Sequence, residues 1–287
     1  MTAISFQSHV AAGAVGNSAA STVYAAFGYE LWAVPTVLYS NHPAGRSFAG
    51  EVVSPASLYR WIAAFEENEL IEQVDHVQSG YLGAAEQAQA VLALLSAARK
   101  SGRRVSYACD PVLGDQPAGL YALPAVAIAI RDALVPAADI VTPNLFELGY
   151  LTGAPVDTAA QVWAAMQSLQ RMGPRIVIAT SVINQETAAA EVDTFLLDGI
   201  NRWYVRTPRL PSPAHGAGDV MAAVFLARLS KGESSDRALS HAVSSVHCIL
   251  VATGNQPDLA LHSARDHLLS PAPVFPAVAT PLSSSDG

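Results

Sequence analysis

Asp75-His76-Val77-Gln78-Ser79-Gly80, the alanine-rich run from Ala84 to Arg99, and Arg104-Val105-Ser106-Tyr107-Ala108-Cys109-Asp110-Pro111 read as a strand, a helix and a second strand. Gly80 and Asp110-Pro111 stop the strands, and Gly102 closes the helix. The same alternation continues outward in both directions. Upstream, Ile4 to Gln7 is a strand, Gly16-Asn17-Ser18 opens a helix ending at Phe27-Gly28, and Leu31 to Leu38 is a second strand. Pro35 inside that strand marks an edge or a bulge. Residues 39 to 54 read as a loop, and Pro55 begins a helix to about Asn68. Downstream, helices are expected at Pro124–Leu134, from Asn144, and at Thr158–Met172, with strands at Asp139–Thr142 and Ile176–Thr180. Val192–Leu197 and Arg202–Val205 flank Asp198-Gly199 as a hairpin. Gly216–Leu229 and Asp236–Ala252 are the last long helices. Repeated strand–helix units predict an α/β fold with a mostly parallel sheet covered on both faces. The late hairpin adds antiparallel strands at one edge.

Composition narrows the function. Of 287 residues, 51% are hydrophobic and 14% charged, which suffices for a large core. The net charge is −8, and no Lys/Arg run exceeds Arg103-Arg104, which excludes an ordinary nucleic-acid binder. The two lysines, Lys100 and Lys231, stand at helix ends, so a phosphate must be gripped by backbone N–H groups, arginine or a metal. Neither a P-loop nor a dinucleotide fingerprint is present. Cys109 and Cys248 sit in apolar runs and read as buried thiols. The first ten residues do not read as a signal peptide, and no apolar run is long enough to span a bilayer, so a cytoplasmic protein is expected. The Pro-, Ala- and Ser-rich stretch 271–287 reads as a disordered tail behind one domain, 1–270.

Ligands of open α/β sheets bind beyond the carboxyl ends of the strands. There the sequence places Ser8-His9, Ser40-Asn41-His42, Gly80 to Gly83, Asp110 to Asp115, Pro143-Asn144 with Glu147, and Ser181. Each set also suits an ordinary turn; six at one edge point to a site. Gly216-Ala217-Gly218-Asp219 opens an apolar helix after a Pro-Ser-Pro loop. Its N–H groups suit an anion and its aspartate suits a base toward a hydroxyl; a flexible loop before a plain helix uses the same residues. Asp110, Asp115 and Glu147 are candidate Mg²⁺-sphere carboxylates, with turn formation and a solvated helix face as the alternatives. His9, His42 and His215 lie in loops without zinc spacing.

These segments, in this order, resemble the ribokinase-like superfamily of small-molecule kinases, and within it the pyridoxal kinases. The resemblance runs from about residue 4 to 255. It rests on Gln7-Ser8-His9-Val10, Gly16-Asn17-Ser18-Ala19-Ala20, Val34 to Leu38 with Ser40-Asn41-His42, Ser79 to Gly83, Cys109 to Asp115, Thr142 to Leu148, and Gly216 to Asp219. It implies a three-layer α/β/α sandwich without a separate lid domain, and a homodimer. The implied activity is ATP-dependent phosphorylation of the 5′-hydroxyl of pyridoxal, with pyridoxine and pyridoxamine as further substrates. Mg²⁺ and a monovalent cation, K⁺ or Na⁺, are implied with ATP. On this resemblance Asp219 is the base, and Gly216, Ala217 and Gly218 form an anion hole. Ser8, Thr36, His42 and Tyr81 hold the pyridine substrate. Asp110, Asn144, Glu147, Thr180, Ser181 and Arg209 face ATP, with Arg206 a further nearby cation. Asp110, Asp115, Thr142 and Glu147 face metal. The segments 41–51 and 206–214 are expected to be flaps. Thr180-Ser181 stands where some members carry lysine, and His215 has no assigned role. Hydroxymethylpyrimidine kinase is the nearest rival, although such enzymes often carry cysteine where Asp219 stands. A non-catalytic vitamin-binding protein is the rival of another class.

Overall fold

The computed structural model describes residues 1–100 and 102–280. Twelve strands run in chain order as β1 Thr2–Val10, β2 Glu30–Tyr39, β3 Gly50–Val52, β4 Val74–Ser79, β5 Ser106–Cys109, β6 Gly114–Asp115, β7 Gly119–Leu120, β8 Ile140–Val141, β9 Ile176–Val182, β10 Glu191–Asp198, β11 Asn201–Pro208 and β12 Val278–Ala279. The α-helices are α1 Gly16–Ala26, α2 Pro55–Glu67, α3 Gln87–Lys100, α4 Pro124–Ala129, α5 Val135–Ala137, α6 Leu145–Thr152, α7 Ala159–Gln170, α8 Ala217–Ser230, α9 Ser235–Thr253 and α10 Asp266–Leu269, with a π-helical turn at Ile130–Leu134 joining α4 to α5.

Ten strands form one sheet in the order β12-β11-β10-β9-β8-β5-β4-β1-β2-β3. The six strands from β9 to β2 are parallel. The β10–β11 hairpin extends the sheet antiparallel at one edge, and β3 folds back on β2 at the other. Strand periodicity sorts the core into two halves. Ile4 and Phe6 of β1, with Val177 and Ala179 of β9, face α2, α3, α6 and α7. Ala3 of β1, with Ile176 and Ile178 of β9, faces α1, α8 and α9. α8 is buried all round, from Val220 to Ala227. A helix apolar on every side belongs in the centre of a layer, which fixes its N-terminus rigidly beneath the sheet edge.

Two findings differ from the sequence reading. Composition favours disorder from residue 271, yet residues 271–280 lie along α9 and β11. Ser240 Oγ donates to Phe275 O (2.6 Å), and Phe275 N donates to Ser244 Oγ (2.8 Å). Val278 and Ala279 then pair with Tyr204 and Trp203. The partners come from another element, so local composition cannot reveal them. The last seven residues of the expected tail lie outside the described residues. The expected loop 39–54 contains β3, and the first three residues of the expected 206–214 flap belong to β11.

Candidate active site

Sequence segments that read as motifs are first of all clamps. Asn17, fully buried, donates through Nδ2 to Gln7 O and Val34 O (both 3.1 Å), and Ser18 Oγ donates to Val10 O (2.8 Å). The first turn of α1 is thereby sewn to β1 and β2. A Cβ on Gly16 would collide with Ser8 O and Oγ, so only glycine lets α1 begin there. The Gly16 N–H then donates to the Asp219 carboxylate. Gly16, packed on Ser8, thus meets Asp219 from about two hundred residues away.

Asp219 stands in the first turn of α8. Burial pushes its carboxyl up to about 6, and the Gly16 N–H partly offsets that. Gly216, the N-cap, has φ +99°, and a Cβ there would drive into Ala14 O. Gly218 has open space where a Cβ would stand. The helix thus presents its first N–H groups and the positive end of its dipole to the cleft, without a side-chain cap.

Beyond β5 and β8 lies an acidic wall. Asp110 is buried, and Thr142 Oγ1 donates to it (2.9 Å). Burial, then the charges of Glu147 and Asp219, push its carboxyl well above the usual range. Glu147 is 3% exposed; burial pushes it up to about 7, although Leu113 N (2.8 Å), Asn144 N (2.8 Å) and Gly114 N (3.5 Å) donate to it. Asn144 caps α6 in a reciprocal box with Glu147, and its Nδ2 donates to Gly114 O (2.7 Å). Asn144 and Glu147 therefore brace the 113–114 backbone, and their side chains are largely committed to it. Asp115 remains exposed.

Two bulges interrupt the strand pairing at this edge. In β9, Thr180 and Ser181 together oppose Thr194 of β10; Ser181 has φ +52°, uncommon for a residue with a side chain. Thr180 also bridges Asn144, so the two share one corner. In β2, Thr36 and Val37 together oppose Ser8, next to the Pro35 that suggests a bulge in the sequence. Thr36 does not offer its hydroxyl to the cleft: it is fully buried and donates to Tyr81 O (2.6 Å). It positions the 80–83 loop instead. Arg206 is held by a two-bond pair with Asp193 (2.7 and 2.8 Å) and by Glu191 (3.3 Å). Arg209 is exposed beyond β11.

Several residues escape sequence reading. Tyr39 hydrogen-bonds Tyr81, and both half-buried rings line the mouth of the 40–49 loop, where Tyr39 also meets Phe48 edge-on. Gln87 ties together Thr36 O, Val53 O, Gly83 N and Ala84 N. Tyr121 is half exposed, and desolvation with the charges of Glu147, Asp110, Asp115 and Asp219 holds its phenol well above the usual range. His42 and His215 stack, with centroids 3.9 Å apart. Burial and His215 hold His42 below the usual imidazole value, against an opposite pull from Asp258. The bulge at Ser181 and the pairing of aromatics across loops leave no local sequence signal.

Glu147 and Asp219 raise the charge cost of Asp110, and Asp115 that of Glu147, a donor set that fits a hard divalent cation. Among the described residues, no three His, Cys, Asp or Glu side chains converge on a metal position. A cation with few protein ligands, completed by water and phosphate oxygens, suits that arrangement.

The phosphomethylpyrimidine kinase family model matches residues 62–258. A pyridoxal kinase, PdxY, of Leifsonia xyli subsp. xyli is 35% identical over 277 residues, covering 96% of this chain and 98% of its own. The chain belongs to the pyridoxal kinase family. A second member of that family, from Deinococcus radiodurans, is 36% identical over 256 residues, 87% of this chain and 86% of its own. Among solved structures, pyridoxal kinase from Leishmania donovani in complex with ADP and pyridoxamine superposes with a TM-score of 0.91 at 25% identity. It covers 98% of this chain and 99% of that one. The ribokinase-like α/β/α architecture of the pyridoxal kinases is thus the architecture of this chain. No helix among the described residues is long and apolar enough to cross a membrane.

Proposed function

We propose that the protein transfers the γ-phosphoryl group of ATP to the 5′-hydroxyl of pyridoxal, giving pyridoxal 5′-phosphate and ADP. The observation that carries this reading is Asp219, a carboxyl raised to about 6 and fixed by Gly16 N–H at the open N-terminus of α8. Asp219 takes the hydroxyl proton as the oxygen bonds to the γ-phosphorus and the bond to the β-phosphate oxygen breaks. The N–H groups of Gly216, Ala217 and Gly218 at the helix start stabilise charge on the transferring group. Ser8, Tyr81 and His42 hold the pyridine, with Thr36 positioning Tyr81. Asp110, Asn144, Thr180, Ser181 and Arg209 line the ATP side. A divalent cation, Mg²⁺, would be held by Asp110 and Asp115 with Glu147 behind them, and would neutralise phosphate charge. Thr142 is the proposed neighbour of a monovalent cation, K⁺ or Na⁺. Pyridoxine and pyridoxamine fit the same chemistry. A cytoplasmic homodimer is proposed, its contact supported by exposed Val52, Tyr59 and Trp61 along β3 and α2. Sedimentation at the mass of one chain would remove the dimer.

The matching family model is described as a phosphomethylpyrimidine kinase, which favours as second reading a pyrimidine kinase, for which hydroxymethylpyrimidine is the test substrate. One experiment separates them: purified protein with ATP and Mg²⁺, offered pyridoxal or hydroxymethylpyrimidine. Metal-dependent formation of pyridoxal 5′-phosphate, read by absorbance, is the expected result. Turnover of hydroxymethylpyrimidine alone would move the protein to the second reading. Pyridoxal bound without turnover would make it a binding protein.

A further inference from the structure

His215 precedes the α8 mouth and has no part in the chemistry above. Its ring lies on that of His42, with centroids 3.9 Å apart and planes 15° from parallel. The two rings come from elements with little freedom of their own. The His42 loop is closed at its base by Ser40 N to Ala49 O (2.8 Å) and Ala49 N to Ser40 Oγ (3.0 Å). Inside it, Asn41 Nδ2 donates to His42 O (3.1 Å) and Ser47 O (2.9 Å). Ala44 N donates to His42 Nδ1 (3.2 Å), which fixes the ring and leaves Nε2 to carry its proton. On the other side, the backbone of His215 bridges that of Asp258, and Gly216 is pinned against Ala14. A firm loop and a firm helix mouth therefore touch through two flat rings.

We infer that His215 is a positioning residue: stacked on His42, it latches the 40–49 loop to the mouth of α8 and sets how the acceptor alcohol is held at the anion site. The inference rests on the proposed kinase reading for its substrate, and on geometry alone for the latch. A loop shut over an acceptor keeps water from competing for the phosphoryl group, so a latch at this point acts mainly on acceptor affinity. The ATP side, across the cleft at Asn144 and Thr180, does not share it.

The test compares the full-length protein with His215→Ala and His215→Phe. Loss of one aromatic pair is expected to raise the KM for pyridoxal about threefold to tenfold, with KM for ATP and kcat little changed. Phenylalanine keeps a flat ring and is expected to restore the KM. A readout free of activity is tryptic cleavage after Arg46, which is exposed on the latched loop. Cleavage is expected to speed up by a similar factor in His215→Ala and to return in His215→Phe. Adding His42→Ala to His215→Ala should cost no more than His42→Ala alone. Equal cleavage rates in wild type and His215→Ala would overturn the latch whatever the substrate is. An unrestored His215→Phe would overturn it as well. A wild type inert toward pyridoxal would instead remove the kinase reading, and the cleavage comparison would still decide the latch.

Discussion

At the scale of single residues, the site depends on where glycine and aspartate stand around α8. Asp219→Ala is expected to lower kcat by about 10²–10⁴, the usual worth of a positioned base, while pyridoxal affinity by equilibrium dialysis stays within a few fold. A near-normal kcat would remove Asp219 as the base. Its raised carboxyl also sets a pH limb. The base works deprotonated, so kcat should hold above about pH 6 and fall below it, approaching tenfold per unit. The limb should vanish in Asp219→Ala. The two glycines of the same turn should separate fold from function. Gly216→Ala puts a Cβ into Ala14 O at φ +99° and should cost about 1–3 kcal/mol, seen as a lower urea midpoint. Gly218→Val has room within the protein and should leave that midpoint alone while depressing turnover, because its side chain fills the space meant for phosphate. The reverse pattern would refute the placement of the anion hole. The Gly-Ala-Gly-Asp run was legible because a helix start demands such residues locally. Tyr121 and Tyr39 were not, since an aromatic in a loop says nothing about what it faces.

At the scale of elements, braces that look like ligands decide the geometry. The α6 capping box holds the helix to the 113–114 backbone, so Asn144→Ala should cost about 1 kcal/mol for the lost cap, and more because Gly114 O loses its donor. Chemical denaturation measures it; an unchanged midpoint would mean that the cap carries little weight. Pattern reading found the parallel strands because each is a short apolar run between turn residues. Their ends were less clear: β1 extends three residues past Gln7, to Val10. β3 and β12 were missed for one shared reason. They are short, and a short edge strand exists through its neighbour's hydrogen bonds rather than through its own apolar pattern. Pro35 marks the bulge at Thr36–Val37 in the sequence, whereas the one at Thr180–Ser181 arises from pairing register, which its own strand does not encode.

At the scale of the whole molecule, the fold gathers acid in one place. Glu147 at about 7 and Asp219 at about 6 sit above their unfolded values of 4.5 and 3.8. The folded chain therefore holds extra protons in that range. Stability from these groups is present below about pH 4 and lost as pH rises toward 7. Mg²⁺ should raise the Tm more at pH 7.5 than at pH 5, because binding to the deprotonated cluster offsets that loss. Thermal unfolding with and without the ion measures this, and an equal rise at both pH values would contradict the acidic wall as the cation site. The sequence by itself determined the α/β architecture and the edge of the sheet at which the candidate residues stand. Apolar periodicity, turn chemistry and helix-start signals are local, so one strand of text suffices to show them. Tertiary structure alone decided which of those residues turn inward as braces, as Thr36, Asn144 and Glu147 do. It also decided that Gly16 meets Asp219 and that His42 lies on His215. Those contacts join segments up to about two hundred residues apart, and a hydrogen bond or a ring stack leaves no imprint on the chain around either partner.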